Sequence, residues 1–82
     1  MTTTKSTPSR YQQARARSAE LQRMTRRQIA TICAEHRVRA ARPGATDFAT
    51  EMAYLRTESK RHTIQGILAA EFDADTMQAI FR

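Results

Sequence analysis

The chain has 82 residues and a net charge of +6 at pH 7, from 14 lysines and arginines against eight aspartates and glutamates. This length limits it to one small domain, and its single cysteine excludes an intramolecular disulfide. No apolar run approaches the 18 residues of a membrane-spanning helix, and no apolar leader of the secretory type is present. We therefore expect a cytoplasmic protein.

The charge is distributed unevenly along the chain. Residues 1–44 hold ten of the cationic side chains and only two acids, whereas residues 45–82 have an excess of acids. Such asymmetry is typical of a basic surface that meets a polyanion: a nucleic acid, an anionic membrane or an acidic protein. The cations are twelve arginines and two lysines, which favours bidentate contacts with phosphates or carboxylates. The alternative is a solvated surface whose charge only serves solubility.

The first predicted elements are an arm and a basic helical region. Residues 1–9 are rich in serine and threonine, which predicts a disordered N-terminal arm. Residues 10–42 contain no glycine or proline and consist mostly of good helix formers. The pair Pro43 and Gly44 then ends the helical region.

A helix start signal lies inside this basic region. Thr25 followed by Gln28 is the pattern of a capping box, in which each side chain accepts a hydrogen bond from the other residue's backbone. This favours a first helix over residues 10–23 and a second over 26–42. One uninterrupted helix over 10–42 is the alternative.

The second half is predicted to contain three shorter helices. A third helix begins after Thr46 or Asp47, and its apolar spacing follows one helical face through Phe48, Met52, Leu55, Ser59 and His62. Thr63 opens a new pattern of Ile64, Ile67, Leu68 and Phe72, and Asp75 is predicted to cap a short last helix. No segment alternates in the manner of a strand.

Taken together, the patterns predict an all-α fold, a small bundle of four to five helices. Residues 10–82 form a single small helical domain in this prediction. Its basic helical region is 10–42, and its second half, 46–82, is expected to contain most of the core.

The arginine-rich region is the strongest candidate for nucleic-acid binding. Cations along a helix can contact a phosphate backbone, and the candidates are Arg10, Arg15, Arg17, Arg23, Arg26, Arg27 and Arg37. A helix-turn-helix at 65–82 or at 26–43 fits poorly, because the first has an acidic reading helix and the second has a proline inside it. With Tyr11 as the only aromatic in this region, we expect duplex or structured nucleic acid rather than single strands.

An apolar set near the C-terminus has two interpretations. Met77, Ile80 and Phe81 lie on the predicted last helix. They either close the core of the monomer or form a contact with a partner or with a second copy in a homodimer.

No constellation of residues indicates an enzyme or a metal site. Cys33 and His36 are three residues apart, but no second Cys-His pair completes a tetrahedral site. The carboxylates are not paired for acid-base catalysis, and the two glycines form no phosphate-binding loop. We therefore expect no catalytic residues, no metal and no cofactor. A membrane-surface role ranks third, because the apolar side of the basic helices is poorly suited to insertion into a membrane.

Two functional hypotheses follow. The first is a small nucleic-acid-binding accessory or regulatory protein that contacts phosphates through its arginine-rich helical region. The second is a small helical inhibitor or adaptor of the phage or plasmid type. It would bind a larger host protein through its arginine-rich face and its apolar C-terminal tip.

Overall fold

The computed structural model describes residues 9–81, so the arm predicted for residues 1–9 falls outside the described part except for Ser9. Within residues 9–81 the chain forms helices and no strand, which confirms the all-α prediction. The helices are α1 (Arg10–Gln22), α2 (Arg26–Ala40), α3 (Phe48–Leu55), α4 (Lys60–Glu71) and α5 (Ala74–Ile80). In this part of the chain, none of them is long and apolar enough to cross a membrane.

Polar N-caps set the start of each helix. The side-chain oxygen of the N-cap accepts a hydrogen bond from a backbone N–H of the first turn. That N–H would otherwise lack a hydrogen-bond partner. At the start of α2, the Thr25 hydroxyl accepts from the Gln28 N–H at 3.1 Å, and the Gln28 side chain accepts from the Thr25 N–H at 2.9 Å. The predicted break near Thr25 is therefore confirmed. Ser9 and Gln12 form the same capping box at the start of α1.

The third helix is shorter than predicted. It ends at Leu55, and α4 begins at Lys60 because the Ser59 hydroxyl accepts from the His62 N–H at 3.0 Å. The predicted apolar face placed Ser59 and His62 in contact with the core, but both side chains are exposed. Phe48, the first residue of that predicted apolar face, is also 44% exposed.

The last helix begins two residues earlier than predicted. Its N-cap is Asp73 rather than Asp75, and the Asp73 carboxylate accepts from the Thr76 N–H at 2.7 Å. This start places the Thr76 side chain in a buried position. Asp75 lies in the first turn instead, where a negative charge interacts favourably with the helix dipole.

The core draws on both halves of the chain. Its buried members come from α1 to α4, and they are Leu21, Ile29, Ala30, Cys33, Ala34, Leu55, Ile64, Ile67 and Leu68. Two side chains of the predicted C-terminal tip, Met77 and Phe81, are partly buried and pack against this cluster. Both side chains therefore contribute to the core of the monomer.

Helices α2 and α4 run in the same direction. At one end, the Arg26 guanidinium at the start of α2 donates to the backbone carbonyl of Glu58, just before α4. At the other end, His36 Nε2 and Glu71 Oε2 are 2.8 Å apart, near the ends of the two helices. The starts of α2 and α4 therefore lie together.

Helices α1 and α3 run opposite to this pair. The Lys60 ammonium at the start of α4 donates to the carbonyl of Gln22 at the end of α1, at 2.8 Å. Glu51, in the first turn of α3, binds Arg37 near the end of α2. One end of the bundle thus combines the starts of α2 and α4 with the ends of α1 and α3.

Candidate nucleic-acid interface

Some of the predicted arginines are bound within the fold. Arg17 donates from Nε and Nη2 to the two carboxylate oxygens of Glu71, at 2.9 and 3.0 Å, and from Nη1 to Glu20 at 2.6 Å. Arg10 donates to the backbone carbonyl of Glu71 at 3.1 Å, and its guanidinium lies 4.6 Å from the centroid of the Phe72 ring. Both arginines tie α1 to the end of α4.

Glu71 is the centre of this polar cluster, which we call the Glu71 cluster (Arg17, His36 and Glu71). Burial alone would raise the pKa of the Glu71 carboxyl, but the hydrogen bonds from Arg17 and His36 outweigh it, so the pKa is lower than usual. The carboxylate therefore stays charged at neutral pH and joins α1, α2 and α4.

Arg37 is also bound within the fold. It forms an ion pair with Glu51 and lies over the ring of Tyr54, 5.1 Å from the centroid. The Arg37 guanidinium and the Thr46 hydroxyl, which donates at 2.8 Å, hold the pKa of Glu51 below its usual value. Arg37 thus supports the packing of α3 on α2, and its charge is neutralised locally.

The remaining predicted arginines lie at the surface without a carboxylate partner. Arg15 donates to the Tyr11 hydroxyl at 3.3 Å and is exposed on α1. Arg26 donates only to the neutral backbone carbonyl of Glu58, so no carboxylate neutralises its charge. In the described part of the chain, the side chains of Arg23 and Arg27 have neither a hydrogen bond nor an ion pair.

Three exposed arginines line one open groove between α2 and α3. Arg26, Arg27 and Arg56 surround a space of about 380 Å³, whose remaining lining is Ala30, Met52 and Leu55. Arg23 does not line this space, but as the C-cap of α1 it lies just before the start of α2, at the same end of the bundle. We call this surface, made of Arg23, Arg26, Arg27 and Arg56, the basic groove.

The sequence places cations where helix dipoles disfavour them. Arg26 and Arg27 are the first residues of α2, and Lys60 and Arg61 are the first residues of α4. The start of a helix carries a partial positive charge, so cations there destabilise the helix and raise the local positive potential. Arg23 and Arg56 are C-caps, where a cation is favourable. The positive charge at this end of the bundle is therefore not explained by helix stability alone.

The carboxylates do not neutralise this end. Most of the eight acids either face a cationic or titratable partner (Glu20, Glu51, Glu58 and Glu71) or cap a helix (Asp47 and Asp73). Among the described residues, only Glu35 and Asp75 have no such role. No acid lines the basic groove. Arginine and lysine side chains without an ion pair therefore outnumber carboxylates without an arginine or lysine partner over the described surface.

Sequence analysis missed three cations at this end of the bundle. Arg56, Lys60 and Arg61 lie at or beside the break between α3 and α4. They were not singled out because the predicted third helix ran through this segment and the charge comparison favoured the first half of the chain. The sequence feature that could have identified them is a cluster of cations on both sides of Ser59, since serine is a residue type that caps helices.

The residues considered for a metal site have structural roles. The Cys33 thiol is buried, burial raises its pKa, and its sulfur lies close to Gly66. His36 is bound to Glu71. Over residues 9–81, no three His, Cys, Asp or Glu side chains come together in a way that could hold a metal ion.

Comparison with known proteins gave no relative. No protein-family model matches the chain, and neither a curated protein nor a solved structure shows significant similarity to it.

Proposed function

We propose that this protein is a small nucleic-acid-binding accessory or regulatory protein that contacts the phosphate backbone through the basic groove. The observation that carries the proposal is the groove itself: four arginines at one end of the bundle with no carboxylate partner. Internal ion pairs account for Arg17 and Arg37, so those two side chains are not part of the proposed interface.

The groove offers chemistry suited to phosphates. Guanidinium groups donate pairs of hydrogen bonds that match phosphate oxygens, and each neutralised phosphate releases counterions from the nucleic acid. The small or apolar side chains between the arginines do not read base edges. The proposal therefore assigns positioning on the backbone to this groove, with little dependence on sequence.

A charge-reversal experiment with a matched control tests the proposal. Arg23→Glu with Arg27→Glu removes two groove cations. Arg39→Glu with Arg42→Glu makes the same change of net charge at exposed, unpartnered arginines near the other end of α2. Binding to a fluorescein-labelled 20-base-pair duplex and to an RNA hairpin is measured by anisotropy at about 100 mM salt, where a phosphate contact contributes about eightfold to affinity.

The expected loss is about 60-fold for the groove variant, from two lost contacts at about eightfold each, and less than about threefold for the control. Circular dichroism verifies that both variants fold. Equal losses in the two variants would show that net charge rather than the groove determines binding. Absence of binding by the unmodified protein even at about 50 mM salt would refute the proposed function.

A further inference from the structure

A second groove lies between α1 and α4. It has a volume of about 440 Å³ and is lined by Ser18, Gln22, Lys60, Arg61, Ile64 and Phe81. A neighbouring depression of about 310 Å³ shares Ser18, Gln22 and Phe81 with it and adds Arg15 and Ile80. We call the two together the Phe81 groove.

The Phe81 groove combines apolar surface with a cationic edge. Phe81 and Ile80 are only partly buried, so part of each side chain remains exposed at the groove. Lys60 donates one of its three N–H groups to the Gln22 carbonyl, and Arg61 has no partner among the described residues. Neither depression is lined by a carboxylate.

We infer that the Phe81 groove docks an acidic, amphipathic segment of another protein. A large apolar side chain of that segment packs against Phe81 and Ile80, and its flanking carboxylates meet Arg61, Lys60 and Arg15. This arrangement follows the usual anatomy of an interface, with an apolar anchor at the centre and charged groups at the rim. The site is separate from the proposed nucleic-acid interface and does not rest on it.

Charge complementarity selects this occupant over the chain itself. A second copy would present mostly unpaired cations, since Glu35 and Asp75 are the only acids without a partner or capping role in the described part. Residues 1–8 contain Lys5 and no acid, so that segment has the wrong charge as well. A phosphate backbone would satisfy the cations and leave the exposed part of Phe81 and Ile80 uncovered.

The test uses two fluorescein-labelled 18-residue peptides. The probe has leucines along one helical face and glutamates on the other, and the control has the same composition in shuffled order. We expect saturable binding of the probe with a Kd in the micromolar range, and binding of the shuffled peptide about tenfold weaker. Arg61→Glu should weaken binding of the probe about tenfold, whereas Arg39→Glu, an equal charge change on α2, should change it less than about twofold.

Chemical-shift mapping of ¹⁵N-labelled protein locates the probe without any variant that could disturb folding. The expected shifts are at the backbone amides of Ser18, Gln22 and Ile64. Equal binding of the two peptides, equal effects of the two substitutions, or shifts confined to other residues would overturn the inference. So would shifts of the same amides by duplex DNA, or by raising the protein concentration alone, because these would identify a different occupant.

Discussion

Replacing Glu71 with glutamine should destabilise the fold through the Glu71 cluster. The substitution preserves shape and removes the charge that receives two hydrogen bonds from Arg17 and one from His36. Hydrogen bonds to a charged group contribute about 1.5–3 kcal/mol each. The side chains of Glu71 and Arg17 are 21% and 26% exposed, and glutamine still accepts one bond. We therefore expect a loss of about 2 kcal/mol in the free energy of unfolding at pH 7.

Urea unfolding followed by circular dichroism measures this loss, with Glu35→Gln as the control. Glu35 is exposed and has no partner in the described part of the chain, so the control should change stability by less than about 0.5 kcal/mol.

The loss from Glu71→Gln should also depend on pH. The pKa of Glu71 is below its ordinary value of 4.5, so the stabilisation is complete above that value and disappears as pH falls through the folded-state pKa. At an acid pH below the folded-state pKa of Glu71, the protonated carboxyl resembles glutamine, and the two proteins should approach equal stability. A loss below about 0.5 kcal/mol at pH 7, or one that is the same at both pH values, would refute the assigned role of the cluster.

Three further predictions concern the helix break, the turn after α2 and the core. Thr25→Ala removes the N-cap of α2 and should lower the free energy of unfolding by about 1 kcal/mol in urea titrations; an unchanged midpoint would contradict the capping role. Gly44→Ala should cost about 1 kcal/mol, because φ is +81° and nothing lies within 4 Å of the added methyl, so backbone strain is the whole effect. Cys33 is 3% exposed and its pKa is raised by burial, so it should react with Ellman's reagent at pH 8 at least about 100-fold more slowly in the native protein than in urea. Equal rates would show that the core opens readily.

The helix starts that follow from local chemistry could be predicted from sequence. The break at Thr25 depends on hydrogen bonds between residues three apart, and the pattern of Thr25 and Gln28 is sufficient to place it. Ser59 offers the same kind of signal but was counted as part of an apolar face. In that segment, the prediction followed the periodic spacing of the apolar residues rather than the capping signal of Ser59. It therefore extended the third helix too far.

Which arginines are bound within the fold and which remain free at the surface could not be predicted in the same way. Arg17 and Glu71 are 54 positions apart in sequence, and their contact exists only because α1 packs antiparallel to α4. Charge along the chain gives the number of cations near each helix but not which of them meets a carboxylate. Tertiary packing therefore decides that Arg17 supports the fold while Arg27 remains free at the surface.

The salt dependence of duplex binding tests the central claim most directly. Affinity is measured by anisotropy between about 50 and 200 mM salt for the unmodified protein, for a variant with Arg23, Arg27 and Arg56 changed to glutamine, and for Arg39→Gln with Arg42→Gln. If the basic groove contacts phosphates, the slope of log affinity against log salt should become less steep by about 2.7 in the triple variant, since each contact contributes about 0.9. The control slope should stay close to that of the unmodified protein. Equal slopes for the triple variant and the unmodified protein would contradict the assignment of the basic groove to nucleic acid.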